Sequence, residues 1–221
     1  MESNIYDVAV IGGGPAGMMA AGKAGASGAK VILLEKNESL GVKLLITGGG
    51  RCNVTNAELD IRKFLKKYKD SDKFLFSAFS QFSVKDSLEF FNSRGMATKV
   101  EAENRVFPVS DNAQSVWAVL VEYLKKGNVE IRTGASVIGF EKENNNISAI
   151  KLKNKDIILA KKVILATGGT SRPETGSTGE GFNWLKDLGH NVIASNEALV
   201  PVSLKDKWIK DLSGVTLQNI K

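Results

Sequence analysis

The six residues Gly12-Gly13-Gly14-Pro15-Ala16-Gly17 constrain this chain more than any other feature. They carry the spacing G-x-G-x-x-G at Gly12, Gly14 and Gly17. Before them, Ile5 to Ile11 is a short β-branched run that reads as a buried strand. After them, Pro15 to Ser27 reads as a helix. Pro opens it where a missing N–H costs nothing, Ala16, Ala20, Ala21 and Ala24 allow close packing, and Gly28 stops it. Lys30 to Glu35 (KVILLE) is a second buried strand. Such a strand–helix–strand unit is right-handed with parallel strands. Within it, Gly12 permits the tight turn, Gly14 lets backbone approach a pyrophosphate, and Gly17 lets the helix press on the strand. The helix N-terminus offers free N–H groups and a partial positive charge to that pyrophosphate. Glu35 ends the second strand, where a carboxylate accepts from both ribose hydroxyls and repels a 2′-phosphate. The unit predicts dinucleotide binding. By itself it does not separate NAD from FAD.

Further on, apolar spacing predicts helices over Ile61–Lys69, Ser71–Phe82, Val84–Arg94 and Asn112–Lys126, with Thr98–Phe107 extended. Phe74, Phe76, Phe79, Phe82, Phe90, Phe91, Trp117 and Trp184 sit at helical spacings and are expected in the core. The period then changes to two. Val129–Arg132, Ser136–Lys142, Ile147–Lys153 and Asp156–Leu159 read as short strands, and Asn144-Asn145-Asn146 marks a hairpin. Lys162–Ala166 is a parallel-type strand running into Thr167-Gly168-Gly169, and Thr178–Leu188 is helical. The fold class expected is α/β: a Rossmann-like parallel sheet with a small antiparallel meander.

Composition narrows the function. The chain has 221 residues, 43% hydrophobic and 24% charged, which is globular usage. Its one cysteine, Cys52, excludes an internal disulfide and a zinc-type cluster, so no metal is expected and a cytoplasmic setting fits. Its one histidine, His190, follows Gly189 at a helix stop, which argues against a Ser-His-Asp triad. The net charge of +6 comes from scattered residues such as Lys66, Lys67, Lys125, Lys126, Lys161 and Lys162. No block reaches the length of a nucleic-acid-binding tail, so a nucleic-acid partner is not expected. No stretch is long and apolar enough to span a membrane.

Two later stretches separate the cofactors. Gly41 to Asn56 (GVKLLITGGGRCNVTN) puts glycines, two cations and amides soon after the ribose acid. Arg51 and Asn53 are donors of the kind that hold phosphates or the polar edge of a ring. Ala166-Thr167-Gly168-Gly169 follows the meander at a strand end. A first strand with G-G-G-P-A-G, a meander, then V-I-L-A-T-G-G resembles the glutathione-reductase-type FAD domain. The runs K-L-L-I-T-G-G-G-R-C-N-V-T-N, R-V-F-P-V-S-D (Arg105–Asp111) and T-G-S-T-G-E-G-F (Thr175–Phe182) are narrower. They resemble the bacterial family of NAD(P)/FAD-dependent oxidoreductases that includes aminoacetone oxidase and a bile-acid 3-dehydro reductase. The likeness runs from Tyr6 to about Val202.

That resemblance implies non-covalent FAD. It places Gly12, Gly14, Pro15, Ala16 and Gly17 along the pyrophosphate, and Glu35 and Lys36 at the adenosine ribose. Lys43, Gly50, Arg51, Cys52 and Asn53 would run along the phosphates toward the isoalloxazine. Val137 would read the adenine with its backbone, and Ala166, Thr167 and Gly168 would close the adenosine side. Cys52 has two readings, a packing or backbone-shaping residue or a thiolate near the flavin; a redox dithiol needs a second cysteine. The function implied is an FAD-dependent oxidoreductase moving a hydride between a small organic substrate and flavin N5, with NAD(P)H or oxygen as second partner. The alternative is a non-catalytic nucleotide-binding fragment. Residues 1–195 are expected to form the FAD-binding domain. Residues 196–221 are expected to enter a substrate domain cut short here, with a flavin-closing return segment missing. Catalytic residues, oligomeric state and substrate are not fixed by the sequence.

Overall fold

In the computed structural model, which describes residues 5–144, 146–193, 205–212 and 215, the chain begins with β1 (Tyr6–Ile11), α1 (Pro15–Ala26) and β2 (Val31–Leu34). The elements then run α2 (Val42–Ile46), β3 (Thr55–Asn56), α3 (Ile61–Leu65), α4 (Asp72–Gln81), α5 (Val84–Asn92), β4 (Thr98–Glu101) and β5 (Arg105–Pro108). After these come α6 (Ala113–Lys126), β6 (Glu130–Arg132), β7 (Val137–Glu143), β8 (Asn146–Leu152), β9 (Ile157–Ile158), β10 (Ala160–Leu165) and α7 (Glu180–Asp187).

The central sheet is parallel with order β10-β1-β2-β6. Val31, Ile32, Leu33 and Leu34 are all buried, as a strand covered on both faces requires. One face packs on α1 and α6 through Val10, Leu33, Met18, Leu120 and Leu124. The other packs through Ala9, Ile32 and Leu34 on Ile150, Leu152 and Ile158 of the antiparallel β7-β8-β9 sheet. A second antiparallel sheet has order β3-β5-β4. The α/β Rossmann architecture with a meander is therefore the observed one.

Local differences have local causes. Glu130–Arg132 pairs in parallel with β2 instead of joining the meander, because Ile131 lies opposite Leu33 at the free edge. The expected helix over Ile61–Lys69 ends at Leu65 and continues as 3₁₀ turns, broken where Lys69 adopts φ 49°, ψ −121°. The extended stretch Thr98–Phe107 divides at Glu103 and Asn104, both left-handed, to make the β4–β5 hairpin. Most strikingly for packing, α4 buries no residue fully. Phe74 is 84% exposed, and Phe76 and Phe82 are also exposed, against the expectation of a core role. Phe90 and Phe91 are buried as expected, while Trp117 and Trp184 pack half-buried against the two cores.

Met1–His190 and Asn191–Lys221 are separate compact units. In the second, Lys207–Leu212 forms 3₁₀ turns.

Candidate functional site

The parallel sheet reverses its strand order at β1, with β2 on one side and β10 on the other. Ligands of open α/β sheets bind outside the carboxyl ends of strands at such a point. A cavity of about 290 Å³ lies there. It is lined by the end of β1 (Ile11, Gly12), the start of α1 (Gly14, Pro15, Ala16), the end of β2 (Leu34, Glu35) and the stretch after β10 (Ala166, Thr167, Gly168).

Each motif glycine answers a different demand. Gly12 has φ +106°, and a Cβ there would lie 2.5 Å from the Ala166 carbonyl oxygen. A Cβ on Gly17 would lie 1.8 Å from the Gly12 carbonyl oxygen. Both are glycine because protein backbone is already in the way. Gly14 is different. It lies at φ −75°, ψ 178°, which any residue adopts, and a Cβ there meets nothing within 4 Å. Among the described residues, no contact requires glycine there. The space it leaves open belongs to the cavity.

The helix start is also uncommitted. Side chains cap α3 (Asp60), α5 (Ser83) and α6 (Asn112) but not α2, α4 or α7; α1, which begins at Gly14, likewise has no side-chain cap. Its positive end is left to whatever occupies the cavity. Glu35 is buried and fixed by backbone: its carboxylate accepts from Gly13 N at 2.6 Å and Asn37 N at 2.8 Å. A carboxylate has about four acceptor positions, so two bonds leave capacity for hydroxyl donors.

One wall comes from the stretch after β10. Lys36 donates to Thr178 Oγ1 and pairs with Glu180 at 2.7 Å, the Asn37 amide donates to the Thr175 carbonyl, and Lys43 donates to the Ser171 carbonyl. Lys36, Lys43 and Val137 border the cavity, as do Asn37, Ser177, Glu180 and Trp184, which sequence reasoning did not single out. The T-G-S-T-G-E-G-F run carried the signal for Ser177 and Glu180. Nothing local marked Asn37, whose role depends on the distant Thr175 carbonyl.

A second cavity of about 440 Å³ shares Pro15 and Ala16 with the first and is bordered by Thr47, Cys52, Asn53, Phe90 and Phe91. Cys52 is buried at φ 61°, and desolvation pushes its thiol up to about 11. At neutral pH it is a thiol, which favours the packing and backbone-shaping reading over the thiolate. With its amide turned so that the nitrogen faces them, Asn53 donates to the Val106 and Thr55 carbonyls.

Gly50 and Arg51 border neither cavity. The Arg51 guanidinium makes a two-bond fork to Glu101, each bond 2.9 Å, a third bond to Asp111, and stacks 4.0 Å from the Phe107 ring centre. Arg51 holds the Glu101 carboxyl down to about 2, chiefly through these hydrogen bonds. Its fork is already filled by protein carboxylates.

The family described as "HI0933-like protein Rossmann domain" matches residues 6–221. The chain belongs to that family. FAD is the cofactor of these Rossmann domains. The Escherichia coli protein named ribosomal RNA dihydrouridine synthase is 30% identical over 218 residues, covering 97% of this chain and 53% of that protein. The Clostridium scindens protein named 3-dehydro-bile acid delta(4,6)-reductase is 34% identical over 218 residues, covering 94% of this chain and 50% of its own length. The chain thus spans about half the length of these relatives. A flavocytochrome c3 fumarate reductase structure shares the fold, with a TM-score of 0.69 at 22% identity over 86% of this chain and 42% of that one. Among the described residues, no group of His, Cys, Asp and Glu is placed to hold a metal, and no helix is long and apolar enough to cross a membrane.

Proposed function

We propose that this chain is the FAD-holding part of a flavin-dependent oxidoreductase. The observation that carries the reading is Gly14: the fold has no need of glycine there, and the open space sits beside an uncapped helix N-terminus. A pyrophosphate meets both features, as acceptor of the helix-end amides and as the body that a Cβ would displace. In this reading Gly12, Gly14, Pro15, Ala16 and Gly17 frame the pyrophosphate, Gly12 and Gly17 by shaping the backbone. Glu35 accepts from the adenosine ribose hydroxyls, and its fixed carboxylate rejects a 2′-phosphate. Lys36 sits at the ribose, while Val137, Ala166, Thr167 and Gly168 enclose the adenosine. Lys43, Cys52 and Asn53 lie toward the flavin end. Gly50 and Arg51 act from behind, shaping the loop that carries Cys52. Residues 1–195 form the FAD-holding domain, and 196–221 lead into a substrate domain.

Bound FAD supplies hydride acceptance and donation at its N5. The protein's part is to hold it and keep the site dry. The names of the two relatives support a narrower substrate class. Each describes adding hydrogen across a ring double bond conjugated to a carbonyl, one in an RNA pyrimidine and one in a steroid acid. We assign this chain to the same reaction class, with NAD(P)H as the source of electrons.

The test is the visible spectrum of the purified protein containing this chain. Flavin bands that bleach anaerobically with NADH or NADPH, and recover on adding a conjugated cyclic enone or a uridine-containing RNA, are expected. A colourless protein that takes up NAD+ but not FAD overturns the proposal.

A further inference from the structure

The segment α3–α4 lies outside the cofactor cavity, and the proposed function leaves it without a role. It carries Arg62, Lys63, Lys66, Lys67, Lys69 and Lys73, all exposed. Against these six cations, residues 61–73 hold two carboxylates, Asp70 and Asp72. Residues 61–73 therefore carry a net +4, and Glu58 and Asp60 just before them bring residues 58–73 to +2. Among the described residues none of the six cations forms an ion pair; Lys67 donates to the neutral Asn56 amide oxygen.

Aromatic rings are interleaved with these cations. Tyr68 is 44% exposed, Phe74 84% and Phe76 44%. Their placement discriminates between ligands. At about 100° per residue, Phe74 and Phe76 are roughly 200° apart around α4. Leu75 and Phe79 form the stripe between them that packs on Phe64, Leu65 and Val84. An interfacial membrane helix gathers its apolar residues on one face. Here the exposed rings stand on both flanks of the packed stripe, with Lys73 next to Phe74 in sequence and three residues before Phe76. Separate rings within a positive surface are what unpaired nucleobases stack on, while the phosphates meet the ammonium groups.

We infer that the α3–α4 surface docks single-stranded RNA. The inference concerns binding, and only its link to catalysis rests on the oxidoreductase reading.

The experiment uses the FAD-loaded protein containing this chain and a fluorescein-labelled oligouridylate of about 16 nucleotides, the upper site size of single-strand binders. Fluorescence anisotropy is followed against salt. Binding is expected to weaken with a log–log slope of about −0.7 per phosphate contact, summing to at least three contacts. Lys66→Glu/Lys67→Glu/Lys73→Glu is expected to weaken binding at least 30-fold. Phe74→Ala is expected to weaken it about 10-fold, the lower range for one stacked base. Because Phe74 is nearly fully exposed, Phe74→Ala preserves folding, and an unchanged flavin spectrum verifies this. The inference is overturned by absent RNA binding, by binding that both variants retain, by preference for a duplex of equal length, or by variant-sensitive binding of phosphatidylserine vesicles instead of RNA. A yellow protein that ignores RNA sinks this inference alone, whereas a colourless protein that binds RNA sinks the oxidoreductase reading alone.

Discussion

Gly14 and Gly17 belong to one motif, yet alanine at the two positions should do opposite things. At Gly17 the new methyl would sit 1.8 Å from the Gly12 carbonyl oxygen and 3.0 Å from its carbon, and both are backbone atoms of a turn that cannot swing aside. Separating them by more than an ångström lifts α1 from β1, where Met18 and Ala21 are fully buried. Overpacking of this kind costs about 1–3 kcal/mol. For a chain of this size each kcal/mol moves the melting temperature by about 2–4 °C, so Gly17→Ala should lower it by roughly 2–12 °C. At Gly14 the methyl meets nothing within 4 Å, and φ −75° suits alanine. Gly14→Ala should leave the melting temperature of the ligand-free protein unchanged or raise it slightly, because alanine lowers the entropy of the unfolded chain. The cost appears only with ligand: a methyl in the pyrophosphate's place displaces it from the helix amides. Losing one hydrogen bond to a charged group weakens FAD binding about 10-fold or more. The assay is thermal unfolding with and without FAD, alongside a fluorescence titration of FAD. If Gly14→Ala destabilised the ligand-free protein as Gly17→Ala does, or left FAD affinity intact, the division of roles would be refuted.

Three further outcomes follow from individual groups. Glu35→Gln places an amide N–H against the Gly13 or Asn37 N–H, so a loss of about 1–3 kcal/mol in stability, read by denaturant unfolding, should accompany weaker FAD binding. With its thiol pushed up to about 11, against 9.0 ordinarily, Cys52 should be alkylated at pH 9 roughly 50-fold more slowly than a cysteine peptide on ionisation alone, and Cys52→Ser should keep its flavin. The Glu101 carboxyl titrates at about 2 in the fold against 4.5 ordinarily. Its stabilising contribution is therefore complete above pH 4.5 and lost as pH falls toward 2. Carboxylate NMR shifts should show this, and Arg51→Lys, which cannot reproduce the fork, should raise the Glu101 titration point.

Much of the site was legible because its signals are local. A tight turn, a helix start and a strand end lie within the first 35 residues, and each demands a residue type that can be read without knowing the fold. The same holds for Ala166-Thr167-Gly168, which ends a strand of recognisable composition. Arg51 shows where such reading stops. Its chemistry suits a phosphate or a carboxylate equally, and Glu101 and Asp111 are 50 and 60 residues away. Strand β4 brings Glu101 to it, and the turn after β5 brings Asp111. The aromatic residues of α4 show a second limit. Helical spacing predicts which positions share a face, but burial needs a second surface, and the described chain provides one only for the Leu75–Phe79 stripe.

The sequence by itself determined the Rossmann unit, its order of strands and helices, and dinucleotide binding, because steric and hydrogen-bonding demands within a turn act over a few residues; FAD as the dinucleotide came from the family resemblance. The tertiary structure decided which donors remain available to a ligand. Lys36, Asn37 and Lys43 are tied to the stretch after β10, Arg51 is spent on two carboxylates, and the cations of α3–α4 stand unpaired among the described residues. Whether a charge is free depends on what the fold places opposite it, and that partner is rarely near in sequence.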